Sequence, residues 1–393
     1  MKKRICILTA TRAEYGLLKP IMVKLNNIPE LDVKIAVTGM HLSQEFGLTY
    51  REIEDDNLII DRKIDIQLDS ASHVSVSKSM GVALISFAEY FDEIKPDMLL
   101  VLGDRYETLA VCCAAMNAGI PIAHLYGGET TEGAVDESIR HSITKMSYLH
   151  FTSTEEYRKR VIQLGEEPDR VYTVGAMGIE NIMNIKPLSI RELEEFLGMS
   201  LSGPYAVVTF HPVTLEHNTV REQFASLLQA CDNHMELKYI FTKSNADVHG
   251  ENINTMLEDY AKNRENVRAV TSLGMERYLS ALNYASLVIG NSSSGLIEAP
   301  SFHIPTVNIG DRQRGRLMAE SVISCEANTE EISNAITRAL SDEFRQRISG
   351  IKNPYGDGNT SDKVIKIIYD YLFVKEIDLK KRFYNITKPK QKS

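Results

Sequence analysis

Short unbroken apolar runs alternate along the chain with longer stretches in which apolar residues recur every three or four positions. The short runs predict strands at Ile5–Leu8, Val33–Val37, Met98–Leu102, Ile122–Tyr126, His150–Thr152 and Val171–Val174. Runs without polar interruption are the pattern of strands buried on both faces. The periodic stretches predict helices at Glu14–Leu25, Val76–Glu93, Thr108–Ala118, Ser138–Ser147 and Thr154–Leu164. Strand–helix alternation of this kind builds a parallel sheet with helices on both sides. The stretch Lys186–Pro204 is charged, ends in Ser202-Gly203-Pro204, and reads as a linker. The pattern then restarts, with strands at Tyr205–Thr209, Lys238–Phe241, Val267–Val270, Leu287–Ile289 and Thr306–Asn308. Helices are expected at Val220–Ala230, Asn252–Lys262, Met275–Ala285 and Gly295–Ala299. The expected fold class is therefore α/β, two doubly wound, Rossmann-like domains facing each other across a cleft. The division expected is 1–185, 186–360, a C-terminal helix within 361–387 that packs back across the first domain, and a frayed tail at 388–393.

Sheets of this type bind ligands beyond the carboxyl ends of their strands, so the polar residues just after each strand carry the candidate chemistry. Thr11 and Arg12 follow the first strand, where a helix start and a guanidinium suit a phosphate; Thr11 also suits a plain N-cap. Asp104 follows Met98–Leu102. It reads equally as a base or substrate ligand and as a helix cap with Glu107 completing a capping box. After Ile122–Tyr126 come Gly127-Gly128, then Glu129, Glu132, Asp136 and Glu137 beside Arg140 and His141. Crowded carboxylates raise one another's pKa, which favours acid–base chemistry. Glu137 is also placed to stabilise the positive end of the next helix.

In the second half, the strand Tyr205–Thr209 runs into Phe210-His211, which puts His211 on the cleft side, although a lone histidine also suits a structural role. The strongest local pattern is Ile289-Gly290-Asn291-Ser292-Ser293-Ser294-Gly295, an apolar strand running into a Gly/Ser turn that opens a helix. Backbone N–H groups and three hydroxyls there suit a diphosphate. Glu298, one turn further, is placed for a ribose diol. Arg312, Arg314 and Arg316 follow the last of these strands.

Composition narrows the function. The 393 residues carry 44 Lys+Arg against 53 Asp+Glu, a net charge of −9, which argues against nucleic acid as a partner. No apolar window is long enough for a membrane span, and the run at Ile5–Leu8 is too short for a signal peptide. The five cysteines are odd in number and lack CxxC spacing, as expected of a reduced, cytoplasmic enzyme. There is no Walker A loop, no GxGxxG after the first strand and no HExxH. No cofactor and no metal are therefore expected.

Taken together these motifs resemble the hydrolysing UDP-N-acetylglucosamine 2-epimerases of bacterial sialic acid synthesis. The resemblance spans nearly the whole chain. It is carried by Thr11–Gly16, Val37-Thr38-Gly39-Met40-His41, Gly103-Asp104-Arg105, Asp136–Lys145, His211–Thr214, Gly290–Ser293, Gly310–Gln313 and Pro354–Asn359. It implies a glycosyltransferase-B type fold, a UDP-sugar substrate, and a homodimer or homotetramer. It implies that Arg12, His211, Ser292, Ser293 and Arg312 hold the diphosphate, with Asn291 in the same motif, and that Glu298 holds the ribose. The segment Leu273–Tyr278 would meet the uracil through Tyr278. Asp104 and Asp136 match the family's catalytic acids, His211 joins the catalytic set, and Arg105 marks the hydrolysing branch on the substrate side. One position departs: the family often has His-Ile-Glu-Gly-Gly where this chain has His124-Leu125-Tyr126-Gly127-Gly128. Either Glu129 replaces that glutamate, or Tyr126 takes over proton transfer. The implied reaction converts UDP-N-acetylglucosamine and water to N-acetylmannosamine and UDP. The same chemistry on UDP-N,N'-diacetylbacillosamine is the nearest alternative. A non-hydrolysing epimerase, a glycosyltransferase and a sugar-nucleotide sensor stand further off.

Overall fold

A computed structural model describes residues 2–67, 72–130, 135–212, 220–243 and 250–386, side chains 250–252 aside. The expected frayed tail at 388–393, together with Glu132, Val213 and Thr214, lies outside the described residues. The chain forms two compact units: residues 1–180 with 356–393, and residues 181–355.

The first unit runs β1 (Lys3–Thr9), α1 (Arg12–Asn26), β2 (Leu31–Thr38), α2 (Tyr50–Asp55), β3 (Ile60–Ile64), α3 (His73–Ile94), β4 (Met98–Leu102) and α4 (Tyr106–Asn117). It continues through β5 (Ile122–Leu125), α5 (Val135–Met146), β6 (Leu149–Thr152), α6 (Glu155–Gln163) and β7 (Val171–Thr173). The seven strands are all parallel, in the order β3-β2-β1-β4-β5-β6-β7. Both faces are buried, as the apolar runs require. In β1, Ile5 and Ile7 join one core with Leu18 and Met22 of α1, while Cys6 and Leu8 join the other with Phe87 of α3 and Val111 of α4.

α7 (Met177–Asn184) leads into the second unit, which contains α8 (Ile190–Leu197), β8 (Tyr205–Thr209), α9 (Val220–Asp232), β9 (Lys238–Thr242), α10 (Gly250–Ala261), β10 (Val267–Val270) and α11 (Gly274–Tyr284). Then come β11 (Leu287–Gly290), α12 (Ser294–Ile297), β12 (Thr306–Ile309), β13 (Val322–Cys325), α13 (Thr329–Leu340) and α14 (Asp342–Ile348). Its six parallel strands follow the order β10-β9-β8-β11-β12-β13. The linker expected at 186–204 contains α8, which is closed by a Ser189/Glu192 capping box and ended by left-handed Gly198. Its charged residues face water, while Leu193 and Leu197 are buried.

The chain then returns to the first unit. α15 (Thr360–Phe373) packs on α1, where Lys24 Nζ reaches Glu180 Oε1 at 3.1 Å, Ser361 Oγ at 2.7 Å and Asp362 Oδ1 at 2.6 Å. Beyond it, Lys381 Nζ donates to the carbonyls of Lys145 (2.9 Å) and Ser147 (2.6 Å) and pairs with buried Glu166 at 2.6 Å. Burial alone would raise the Glu166 pKa, but hydrogen bonds from His150, Lys145 and Lys381 bring it down to about 2. The ring of Phe383 fills the space over Gly165, where a Cβ would meet it at 2.3 Å. Lys381 thus closes the carboxyl end of α5. Lys381→Met is expected to lower stability by about 1–3 kcal/mol, because two carbonyls and a buried carboxylate each lose a donor. Thermal unfolding checks this, and an unchanged midpoint would show that the arm adds nothing.

Candidate active site

In each sheet the order reverses next to the first strand of its unit: between β1 and β4 in the first, and between β8 and β11 in the second. Ligands of doubly wound sheets settle at such points. Arg12 and Asp104 follow β1 and β4, and His211 and Asn291 follow β8 and β11.

In the first unit the organising residue is Arg140, which is 3% exposed. Its guanidinium donates Nη1 to the Glu129 carbonyl (2.9 Å) and to Glu137 Oε2 (2.9 Å), and Nη2 to Asp104 Oδ2. Glu137 Oε1 also meets His141 Nε2 at 3.1 Å. The sequence permitted Asp104 to be the cap of α4 with Glu107 as its capping-box partner. The structure overturns that: the N-cap is Arg105, and no side chain caps the helix. Asp104 turns instead to Arg140. Glu107 is buried and accepts Arg105 Nε at 2.5 Å. Glu137, also placed to favour its own helix start, is a direct partner of Arg140.

Asp136 lies in the first turn of α5. The residue is exposed by area, yet the protein crowded about its carboxyl, and next the Asp104 charge, hold its pKa above the ordinary value. His124 is fully buried, and burial drops its pKa to about 3, so it is neutral at physiological pH. Its Nε2 lies 2.8 Å from the Gly103 carbonyl, stapling β5 to the turn that carries Asp104. Sequence reading did not assign His124 a role, although its place on a buried strand beside two glycines was the available signal.

The two candidates for the missing glutamate go different ways. Glu129 is buried, its Oε1 accepts Ser153 Oγ at 2.8 Å, and its carbonyl is held by Arg140. Tyr126 has φ +68° and packs against the first core, and its hydroxyl accepts the Met177 N–H at 2.8 Å. Arg105 is turned to Glu107 and Tyr106. Arg12 is exposed and paired with Glu52 at 2.9 Å. Thr11 is the N-cap of α1, in a capping box with Glu14.

In the second unit Asn291 is the hub. Its Oδ1 accepts the His211 N–H (2.8 Å) and its Nδ2 donates to the His211 carbonyl (2.8 Å). Its own carbonyl accepts Arg312 Nη1 (3.0 Å) and Gln313 Nε2 (2.8 Å). The resemblance placed Asn291 among ligand-binding residues. These bonds make it the clamp that sets His211 and Arg312. Gln313 was missed as a partner, although it adjoins Arg312 in the motif.

The helix expected to open at Ser292–Ser294 is the single turn α12, which passes at Glu298 into a 3₁₀ turn at Ala299–Phe302. Its dipole is correspondingly small. Glu298 therefore sits at the end of α12; the residue is half-buried by area, but its Oε2 is buried and the protein around the carboxyl raises its pKa. Tyr278 donates its hydroxyl to Ser294 Oγ at 2.7 Å. Gly295 lets α12 close on β12, since a Cβ there would stand 2.7 Å from Thr306 Cγ2. Among the described residues no helix is long and apolar enough to cross a membrane.

Comparison with known proteins decides the family. The model of the UDP-N-acetylglucosamine 2-epimerase family matches residues 23–369. The chain belongs to this family. It is 44% identical to the GDP/UDP-N,N'-diacetylbacillosamine 2-epimerase (hydrolyzing) of Campylobacter jejuni, over 93% of this chain and 94% of that one. It is 41% identical to polysialic acid biosynthesis protein P7 of Escherichia coli, over 98% of both. The fold matches the Neisseria meningitidis UDP-GlcNAc 2-epimerase bound to UDP-GlcNAc, with TM-score 0.74 and 19% identity, over 94% of this chain and 100% of that one. It likewise matches the Methanocaldococcus jannaschii enzyme in complex with UDP-GlcNAc and UDP, with TM-score 0.74 and 20% identity, over 93% and 99%. The family resemblance and the two-sheet fold class read from the sequence are both borne out.

Proposed function

We propose that this member of the family is a hydrolysing 2-epimerase of a UDP-2-acetamido sugar. The substrate of the first reading is UDP-N-acetylglucosamine, giving N-acetylmannosamine and UDP for sialic acid synthesis. A base removes the sugar C2 proton, and the C1–O bond to UDP breaks in an anti-elimination that leaves a 2-acetamidoglucal. Water then adds across the double bond, its hydroxyl to C1 and a proton to C2 from the opposite face. The observation that carries this is the Arg140 centre, with Asp104 bonded to the guanidinium and Asp136 beside it under a different environment. Two carboxyl groups set apart in this way can divide the base and acid tasks. His211, Ser292, Ser293, Arg12 and Arg312 would meet the growing charge of the leaving diphosphate, with Glu298 on the ribose, Tyr278 toward the uracil and Arg105 on the sugar side.

The hydrolysing branch is favoured by relatives 44% and 35% identical that carry that word in their names. Those names also favour a second substrate, UDP-N,N'-diacetylbacillosamine. Incubation with each sugar nucleotide in D₂O tests both readings. UDP and a free 2-epimeric sugar bearing deuterium at C2 are expected. Product without deuterium, or UDP-linked product, would overturn the proposal.

The same assay separates Glu129 from Tyr126. Glu129→Gln is expected to slow turnover about 10²-fold or more, since Glu129 belongs to the loop held by Arg140. Tyr126→Phe is expected to change turnover less than about tenfold, because its hydroxyl serves the backbone as acceptor of the Met177 N–H. The reverse order would assign proton transfer to Tyr126.

A further inference from the structure

Two buried carboxyl groups lie beneath the Asp104 turn, and the reaction above uses neither. Glu14 is 8% exposed and Glu107 fully buried. Glu14 Oε2 accepts the N–H groups of Ala10 (2.7 Å) and Thr11 (3.2 Å), while its Oε1 is buried with no partner. Glu107 Oε1 accepts Arg105 Nε, while its Oε2 is also buried with no partner. Glu107 borders Gly39 directly, and Glu14 is tied to the same place through Ala10. A Cβ there would stand 3.3 Å from Glu107 Oε1 and 3.2 Å from the carbonyl of Ala10, the residue whose N–H holds Glu14. The carboxyl groups therefore converge where the end of β1, the 3₁₀ turn Gly39–Leu42 and the start of α4 meet.

The charges around them do not balance. From α4 come Arg105, Glu107 and the phenol Tyr106. From the 3₁₀ turn comes His41, which burial makes neutral by lowering its pKa to about 4. From α1 come Tyr15, whose hydroxyl goes to Asp56, and Arg12, which is turned out to Glu52. Among the described residues Arg105 is thus the cation that faces the two carboxylates in a dry site, and an uncompensated buried charge is costly. A single proton would remove the excess charge and, held between the two orphan oxygens, would give each a partner.

We propose that Glu14 and Glu107 share one proton, Glu14 donating as the acid and Glu107 accepting as the carboxylate, and that this pair holds Arg105 and the adjoining Asp104 turn in place. Glu14 is then a positioning residue. Its link to turnover rests on the function proposed above; the shared proton does not. In agreement, burial first and then the Glu107 charge raise the Glu14 pKa to about 7.

The sign of the pH effect follows. Glu14 takes up its proton more readily folded (about 7) than at its ordinary value of 4.5. Its contribution to stability is therefore full below pH 4.5 and lost as pH rises to about 7. Glu14→Gln keeps an amide donor toward Glu107 and carries no charge. Three measurements on the full chain test this, comparing wild type with Glu14→Gln. The infrared difference spectrum is expected to show a carboxylic-acid C=O band in wild type that titrates near pH 7 and is missing in the variant. The melting temperature of the variant is expected to gain on wild type between pH 4.5 and about 7, then run parallel. The turnover ratio of variant to wild type is expected to rise about tenfold between pH 6 and 8, as the shared proton leaves wild type. An absent band with a flat melting gap would overturn the shared proton. A flat turnover ratio alone would overturn the positioning role. If no sugar nucleotide is turned over, band and melting gap still decide the proton. Should Glu14→Gln not fold, Glu107→Gln is expected to move the wild-type titration to lower pH, and an unmoved titration would overturn the pair.

Discussion

Replacing Arg140 by methionine is expected to cut turnover of the UDP-sugar about 10²-fold or more and to lower stability by about 3 kcal/mol. Methionine matches the volume of the stem but offers no donor. Asp104, Glu137 and the Glu129 carbonyl then lose a group that joins them. With a side chain only 4% exposed, Arg140 works where water replaces its bonds poorly. Asp104 would swing from the line of β4, and the Glu129 loop would lose its tie to α5. Arg140→Lys separates positioning from charge. A lysine keeps the cation but reaches these acceptors as a point charge rather than a fork. It is expected to recover most of the stability and little of the turnover. UDP release kinetics and thermal melts read the two effects. An Arg140→Met enzyme with turnover within tenfold of wild type would remove Arg140 from the centre of the site.

This centre shows where sequence reading ended. Strands β4, β8 and β10 lie at the positions expected, because a strand buried on both faces writes itself as an unbroken apolar run. β3 and β13 went unread. Both are edge strands, and β3 reads Ile60-Asp61-Arg62-Lys63-Ile64, where exposed Arg62 and Lys63 and the half-buried Asp61 hide the period. α8 stands where a linker is expected, because a two-leucine stripe on a charged helix resembles a solvated segment. The site residues could be placed at strand ends, since topology alone puts them there. Their pairing could not. Asp104 and Arg140 are 36 positions apart, and the local rule for Asp before a helix gave the wrong partner. Likewise Asn291 stood out as a polar residue in a Gly/Ser turn, but its bonds to His211 lie 80 positions away.

The larger disruption is expected from Gly290→Ala. Gly290 ends β11 at φ +133°, a backbone region open essentially to glycine alone. A Cβ at that position would lie 1.9 Å from the Thr209 carbonyl oxygen and 2.7 Å from its carbon. These atoms cannot give way, because Gly290 is paired with Thr209 in the β8–β11 ladder and the next N–H, that of Asn291, donates to the same carbonyl at 3.1 Å. Alanine therefore has to part the two strands where the sheet order reverses. The Asn291 clamp opens with them, releasing the His211 backbone and the acceptor that holds Arg312. The strain and the lost bonds together correspond to about 3 kcal/mol or more. Calorimetric titration with UDP is expected to show no binding at concentrations that saturate wild type, and the melting temperature to fall by several degrees. Asn291→Ala leaves the strand geometry intact and removes only the clamp. It is expected to weaken UDP binding about tenfold or more with a smaller loss of stability. If Gly290→Ala instead binds UDP as wild type does, the β8–β11 junction is not where the diphosphate is held, and the role given to Ser292, Ser293 and Arg312 falls with it.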